Sequence, residues 1–255
     1  MTVAVVLTMD AQLGLAELVH KRYSVLWPDH PLTFRIPFNG LANGPAMAYL
    51  SAQDDCEIVR CRPGIRDSMA ALLDGIDDPS WVFWCIDDRF PTWLDGPRLT
   101  SVHAALPAAP PAWDELKLLR WREPVASEPH TVGGATFLLQ RRRRHWGFWH
   151  HHFVRAGVLR RVFSDPAVAG DAGIHDYMVS RLRGRGRRRR LPRRVETRLF
   201  PGAALVPTAP LARLAEPVIA GRLTRNGLAA LQQDECEVPA YEVTDIDHEY
   251  VWDDT

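Results

Sequence analysis

Residues 81–90 read WVFWCIDDRF. The apolar run Trp81–Ile86 predicts a strand, and it ends on two adjacent carboxylates. Each of these raises the other's proton affinity, and neither can be buried without a partner. A cationic neighbour is therefore expected beside Asp87 and Asp88.

The elements that precede this strand set its context. Val3–Leu7 (VAVVL) is a β-branched, uninterrupted apolar run of the kind buried on both faces of a parallel sheet. Leu13, Ala16, Leu18, Val19, Tyr23, Leu26 and Trp27 then recur at helical spacing until Pro28 and Pro31. Leu32–Ile36 reads as a second strand, 46–53 (AMAYLSAQ) as a short helix and Glu57–Cys61 as a third strand, with Asn39-Gly40 and Asn43-Gly44 as turns. After Pro63-Gly64, 65–76 predicts an amphipathic helix starting near Arg66 or Asp67, capped by Asp67 or by an earlier backbone group. Four strands alternating with helices before residue 90 predict an α/β fold: a mostly parallel, Rossmann-like central sheet with helices on both faces. Ligands of such sheets bind outside the carboxyl ends of the strands. That rule selects Thr8, Met9 and Asp10, then Arg62 to Asp67, then Asp87 and Asp88.

Past residue 90 the alternation fails. A loop, a helix near Gly96–Ala105, a Pro/Ala break at 107–111 and an edge-type strand near Leu116–Trp121 are expected. GGATFLLQ (133–140) suggests a strand, WGFWHHHFVRAGVLRRVF (146–163) ends in a helix, 171–182 is a second helix and ETRLF (196–200) a last strand. Beyond about 205 an irregular extension is expected, with a short helix around 210–221 and an acidic tail left without assigned structure.

Composition narrows the function classes. The 255 residues are 46% hydrophobic and 24% charged, an ordinary globular balance. Lys+Arg and Asp+Glu both total 31, so no global field drives binding to nucleic acid or membranes. Arginine clusters at Arg141–Arg144 and Arg181–Arg194, whereas no Lys or Arg follows Arg225. The arginines could grip a phosphate, a nucleic acid or an anionic membrane face, or form a solvated loop neutralised by the acidic tail. Aromatic interleaving is missing from Arg181–Arg194, so no specific nucleic-acid partner is expected. Cys56, Cys61, Cys85 and Cys236 show no CxxC spacing, no signal-peptide pattern opens the chain, and no run approaches the roughly 18 apolar residues of a spanning helix. A cytoplasmic protein is expected, able to lie at the inner membrane face through its arginines.

Two hard oxygen donors at a strand end suit Mg²⁺ or Mn²⁺ carrying a diphosphate. The structural alternative has Asp87 capping the next turn and Asp88 paired with Arg89. Around Ile86-Asp87-Asp88 the chain resembles the GT-A fold nucleotide-sugar-dependent glycosyltransferases, in which an apolar strand ends in a short acidic motif often written DxD. This chain has the variant with an apolar residue before two aspartates. A second block, Val154–Leu182, resembles inverting members, which carry a basic and aromatic helix, a loop and Glu-Asp opening a further helix; here His175-Asp176 occupies that place. The resemblance spans roughly residues 3–182.

It implies an inverting transferase, of hexosyltransferase type and suited to polysaccharide biosynthesis, that moves a sugar from a nucleotide diphosphate donor to a glycan or other hydroxyl acceptor. Asp88 and Asp87 would hold the metal and diphosphate; Thr8, Asp10 and Arg66 or Asp67 would contact the nucleotide. Asp176 would be the general base, with His175 serving as base, orienting Asp176 or doing neither. Residues 1–90 would form the nucleotide-binding half, 91–205 the acceptor half and 206–255 an extension. Trp93, Asp95 and His152 are acceptor-side candidates, each with a structural alternative: a buried indole, a turn aspartate and packing beside Trp146, Phe148 and Trp149. A nucleotidyltransferase is disfavoured because TMDAQLG (8–14) makes a poor phosphate loop. The competing class is a non-catalytic α/β binding module using its arginine loop.

Overall fold

A computed structural model describes residues 1–40, 44–119, 128–140, 148–165, 197–219, 221–244 and 249–250. The predicted opening alternation is present: β1 (Thr2–Leu7), α1 (Leu13–Leu26), β2 (Leu32–Phe38), α2 (Pro45–Ser51), β3 (Cys56–Arg60), α3 (Ile65–Leu72) and β4 (Trp81–Ile86). Pro37 is tolerated inside β2 because pairing with β1 ends at Arg35, two residues earlier, so its missing N–H removes no bond to β1. Asp67 sits in the first turn of α3 without capping it; Gly64, at φ 118°, precedes the helix and its carbonyl accepts from Ser68 N.

The second half is more strand-rich than expected. β5 (Phe90–Leu94) replaces the predicted loop and pairs with β11 (Ala212–Ala215). α4 (Gly96–Ala105) lies where the spacing put it, followed by β6 (Trp113–Lys117), β7 (His130–Val132), β8 (Ala135–Gln140), β9 (His152–Arg155), α5 (Ala156–Ser164) and β10 (Ala203–Pro207). Among the described residues nine strands form one sheet in the order β3-β2-β1-β4-β9-β6-β10-β8-β7. β3, β2, β1 and β4 are mutually parallel, and β6 and β10 are parallel to each other. β9 runs antiparallel between β4 and β6, so β6 is interior and not the edge strand expected. Residues 197–199 are helical, which corrects the strand expected there. The helix expected around 210–221 is instead β11 and β12 (Val218–Ile219), followed by β13 (Arg222–Thr224), α6 (Arg225–Gln233), β14 (Val243–Thr244) and β15 (Glu249–Tyr250). β10 crosses the boundary placed at residue 205. The helix expected at 171–182 and the arginine segment 181–194 lie outside the described residues.

Period-two alternation places two apolar layers on the sheet. Phe83 and Cys85 of β4 join Ala4, Val6, Phe34 and Phe153 under α1 and α4; Val82, Trp84 and Ile86 join Val5 and Val154 under α3 and α5. Trp84 Nε1 donates to Phe148 O at 2.7 Å, so the largest buried side chain of β4 keeps a partner for its one polar atom. The segment after α6 docks on α1: Arg22 Nε lies 2.6 Å from Asp234 Oδ2, and Lys21 Nζ donates to Asp234 O. Glu237 reaches the start of α2, accepting from Ala46 N. The carboxylate of Asp234 therefore meets a cation of α1, whereas Glu237 meets a backbone N–H of α2. No helix among the described residues is long and apolar enough to cross a membrane.

Gly133-Gly134 forms the two-residue β7–β8 turn with φ 53° and 78°, the positive pair that a type I′ hairpin requires. A Cβ on Gly133 would lie 2.2 Å from the backbone of Ser101 in α4, whereas one on Gly134 meets nothing within 4 Å. Gly133→Ala is expected to cost about 2–4 kcal/mol and Gly134→Ala about 1 kcal/mol, read from urea midpoints.

Candidate active site

The register of β1 and β4 builds the site. Leu7 pairs with Ile86, Asp87 N donates to Leu7 O at 3.2 Å, and the next step brings Thr8 and Asp87 together on the α1 face. Thr8 Oγ1 donates to Asp87 Oδ2 at 2.7 Å. Asp87 is 8% exposed, and its carboxyl is raised to about 8, first by burial and then by the charge of Asp88, against the Thr8 hydrogen bond. Asp88, with a side chain 42% exposed, stays reachable from solvent.

The cation beside the pair is Arg89, the partner that the structural alternative gave to Asp88. Its Nη1 donates to Asp88 O at 2.7 Å and lies 3.3 Å from Asp88 Oδ1, while Nη2 pairs with the carboxylate of Glu216, just after β11. Glu216 could not be found from sequence, because it reaches the acid pair only through the β5–β11 pairing.

His151 supports the strand end from inside. Its Nε2–H donates to Ile86 O at 2.9 Å, and Tyr23 OH donates to its Nδ1 at 2.8 Å, which fixes one neutral tautomer. Burial above all, with the charge of Arg89 adding, pushes this imidazole down to about 4 against the pull of the Ile86 carbonyl. His152 points to the other face, as strand geometry requires. It is fully buried; its Nδ1–H donates to His150 O, and its Nε2 accepts from Lys117 Nζ at 3.0 Å. Lys117 also pairs with Glu115 at 2.6 Å. His150 is held well below its ordinary value by burial, with Arg89 contributing.

The remaining residues selected from sequence are placed as follows. Asp10 Oδ1 accepts from Asn39 N at 3.0 Å. From Asn39 the polar contacts continue, with Cys61 Sγ 3.2 Å from Asn39 Oδ1 and 3.5 Å from Ser68 Oγ, so the ends of β1, β2 and β3 are linked into α3. Asn39, Cys61 and Ser68 were missed; Asn39-Gly40 at the end of β2 is the one local signal that could have found them. Arg66 Nη2 donates to Asp165 O at 3.3 Å, and Arg198 Nη2 reaches Asp165 Oδ1 at 2.8 Å. Trp93 is 41% exposed with the Arg213 guanidinium 5.9 Å from its ring, so it is not the buried indole of the alternative reading. Asp95 caps α4, its Oδ1 accepting from Arg98 N. His175 and Asp176 lie outside the described residues.

No protein-family model matches the chain, and no curated protein matches it. Several solved structures are similar to it, two of them of LgtC. One is an active-site mutant of LgtC, at 10% identity over 81% of this chain and 72% of that one, with a TM-score of 0.40. The other is the galactosyltransferase LgtC in complex with donor and acceptor sugar analogues, at 12% identity over 78% and 70%, with a TM-score of 0.38. Likenesses of this degree bear on neither substrate nor mechanism, which rest here on the residues themselves.

Proposed function

We propose that the chain is a nucleotide-sugar-dependent glycosyltransferase, of inverting hexosyltransferase type, acting on a hydroxyl acceptor such as a growing polysaccharide. The observation that carries this reading is the placement of Asp87 and Asp88 at the carboxyl end of β4, beside the end of the parallel strand β1. This is the edge where open α/β sheets bind ligands. Residues 1–90 would serve the nucleotide, 91–205 the acceptor, and 206–255 extend the fold.

The acid pair fits a divalent cation by its donor chemistry, since it offers hard carboxylate oxygens with Asp88 open to solvent. Asp88, with Asp87, would hold Mg²⁺ or Mn²⁺, whose charge would offset that of the departing nucleoside diphosphate. Thr8 holds Asp87 in place, and Arg89, fixed by Glu216, sets the position of Asp88. Asp10, just after β1, and Arg66 and Asp67, in the first turn of α3, would contact the nucleotide. Asp176, with His175 beside it, is the proposed acceptor base. Trp93 and Asp95 are the proposed acceptor-side residues; His152, fully buried with both ring nitrogens occupied, keeps the packing role of its structural alternative. Peripheral contact with an anionic membrane, through the arginine-rich segment of a cytoplasmic protein, belongs to the same proposal.

Donor hydrolysis or transfer with UDP- and GDP-sugars and Mn²⁺ tests it. Asp88→Ala is expected to lower kcat/KM by about 100-fold or more, corresponding to a loss of roughly 3 kcal/mol of transition-state stabilisation. Turnover that survives this substitution would show that the acid pair is not the donor site.

A further inference from the structure

The opposite edge of the sheet carries a second group of ligating side chains. Asp55 and Cys56 lie where β3 begins, His30 just before β2, and His20 on the inner side of α1, so all four belong to the amino-end half of the parallel strands and not to the Asp87 edge. One nitrogen of His20, one oxygen of Asp55 and Cys56 Sγ lie within 4.8 Å of one another. The two oxygens of Asp55 face different imidazoles: Oδ1 is 3.0 Å from His20 Nε2, and Oδ2 is 3.5 Å from His30 Nε2. The other ring nitrogen of His20, Nδ1, is 3.0 Å from Tyr49 OH. A hydroxyl on the far nitrogen is the outer-shell contact that orients a metal-bound imidazole and leaves Nε2 facing the ion. Phe34 packs edge-on against both imidazoles, at 5.2 Å and 5.5 Å between centroids, holding the two rings.

The surroundings are also prepared. His20 and His30 are almost wholly buried, whereas the Asp55 side chain is 35% exposed and opens a path from solvent. The backbone bond from Phe34 N to Asp55 O ties this turn to β2. Usual zinc bond lengths in a tetrahedral shell put ligand atoms roughly 3.3–3.8 Å apart, so small side-chain rotations would bring this group to that spacing.

We infer that His20, Asp55 and Cys56, with His30 or a water as fourth ligand, form a zinc site that pins α1, β2 and β3 together. A set of imidazole, thiolate and one carboxylate selects a borderline-soft ion, unlike the all-oxygen pair at Asp87 and Asp88. Zinc here is structural and independent of the glycosyltransferase reading.

The test uses the full chain freed of metal by chelation and titrated with Co²⁺ and then Zn²⁺. One thiolate-bound ion per chain is expected, with a thiolate-to-cobalt charge-transfer band that zinc displaces and a rise in Tm. Cys56→Ser removes the band, and His20→Gln weakens binding by about tenfold or more. Asp88→Ala leaves both unchanged, which separates this site from the donor site. In the unsubstituted chain, zinc protects Cys56 from alkylation, mapped by mass spectrometry, while Cys61 stays reactive. The inference is overturned by the lack of a thiolate band, by a band that persists in Cys56→Ser, or by undiminished alkylation of Cys56 with zinc present.

Discussion

Asp87→Asn is expected to make the metal-free protein more stable, by an amount that grows with pH, while removing donor turnover. In the folded chain the Asp87 carboxyl keeps its proton up to about 8, whereas unfolded aspartate releases it near its ordinary value of 3.8. Between those values the folded state binds more protons than the unfolded state, so rising pH lowers stability until the folded group also ionises. The raised value corresponds to a cost on the order of 5 kcal/mol above pH 8, at about 1.4 kcal/mol per unit. An amide never ionises, fills nearly the same volume and still offers an oxygen to Thr8 Oγ1. Denaturant midpoints should therefore nearly coincide at pH 4 and diverge in favour of Asp87→Asn by several kcal/mol at pH 8.5. Equal midpoints across that range would mean that Asp87 is neither buried nor perturbed as described. Gaining stability by disarming a residue is the trade expected of a functional site.

The second large effect belongs to His151. Replacing it by Ala removes a fully buried ring and takes away the partners of two buried groups, the Ile86 carbonyl and the Tyr23 hydroxyl. Cavity and orphaned-group costs together predict a loss of about 3–5 kcal/mol at pH 7. His151→Phe, which refills most of the volume without either hydrogen bond, should recover only part of it. The pH dependence has the opposite sign to that of Asp87. The folded imidazole stays neutral down to about 4, so the unfolded chain binds the extra proton as pH falls through 6.5. His151 thus makes the wild type lose about 3 kcal/mol between pH 6.5 and pH 4, and the penalty of His151→Ala should shrink over that window. His150 and His152, also held low by burial, slope the same way. Over pH 4–6.5 the Asp87 and histidine contributions oppose each other in the wild type, and the two substitutions separate them.

The first half of the fold is legible because its signals are local. VAVVL and WVFWCI are apolar without interruption, the helix between Gln12 and Pro28 is periodic, and Pro63-Gly64 marks the turn into α3. The second half is hidden by residues whose roles are tertiary. β6 carries Asp114, Glu115 and Lys117, all buried, a pattern that reads as a solvated edge. Asp114 is satisfied by Gly202 N at 2.6 Å, Glu115 by Lys117, and Lys117 also by His152 on β9. No short window shows that these charges have partners. β5 contains a proline, and β9 begins in a run of three histidines, so neither matches a strand template until β11 and β4 pair with them. The acid pair is visible because a like-charged dipeptide after an apolar run is costly without a compensating group. Its support from Glu216 and His151 is not, since both arrive from distant parts of the chain.

A crystal soaked with Mn²⁺ and UDP, examined by anomalous scattering at the manganese edge, tests most directly whether the end of β4 is a donor site. A manganese peak within coordination distance of Asp88, with diphosphate density between it and the ends of β1 and β3, is the predicted result. Nucleotide density at another edge of the sheet, or manganese only beside His20, Asp55 and Cys56, would contradict it.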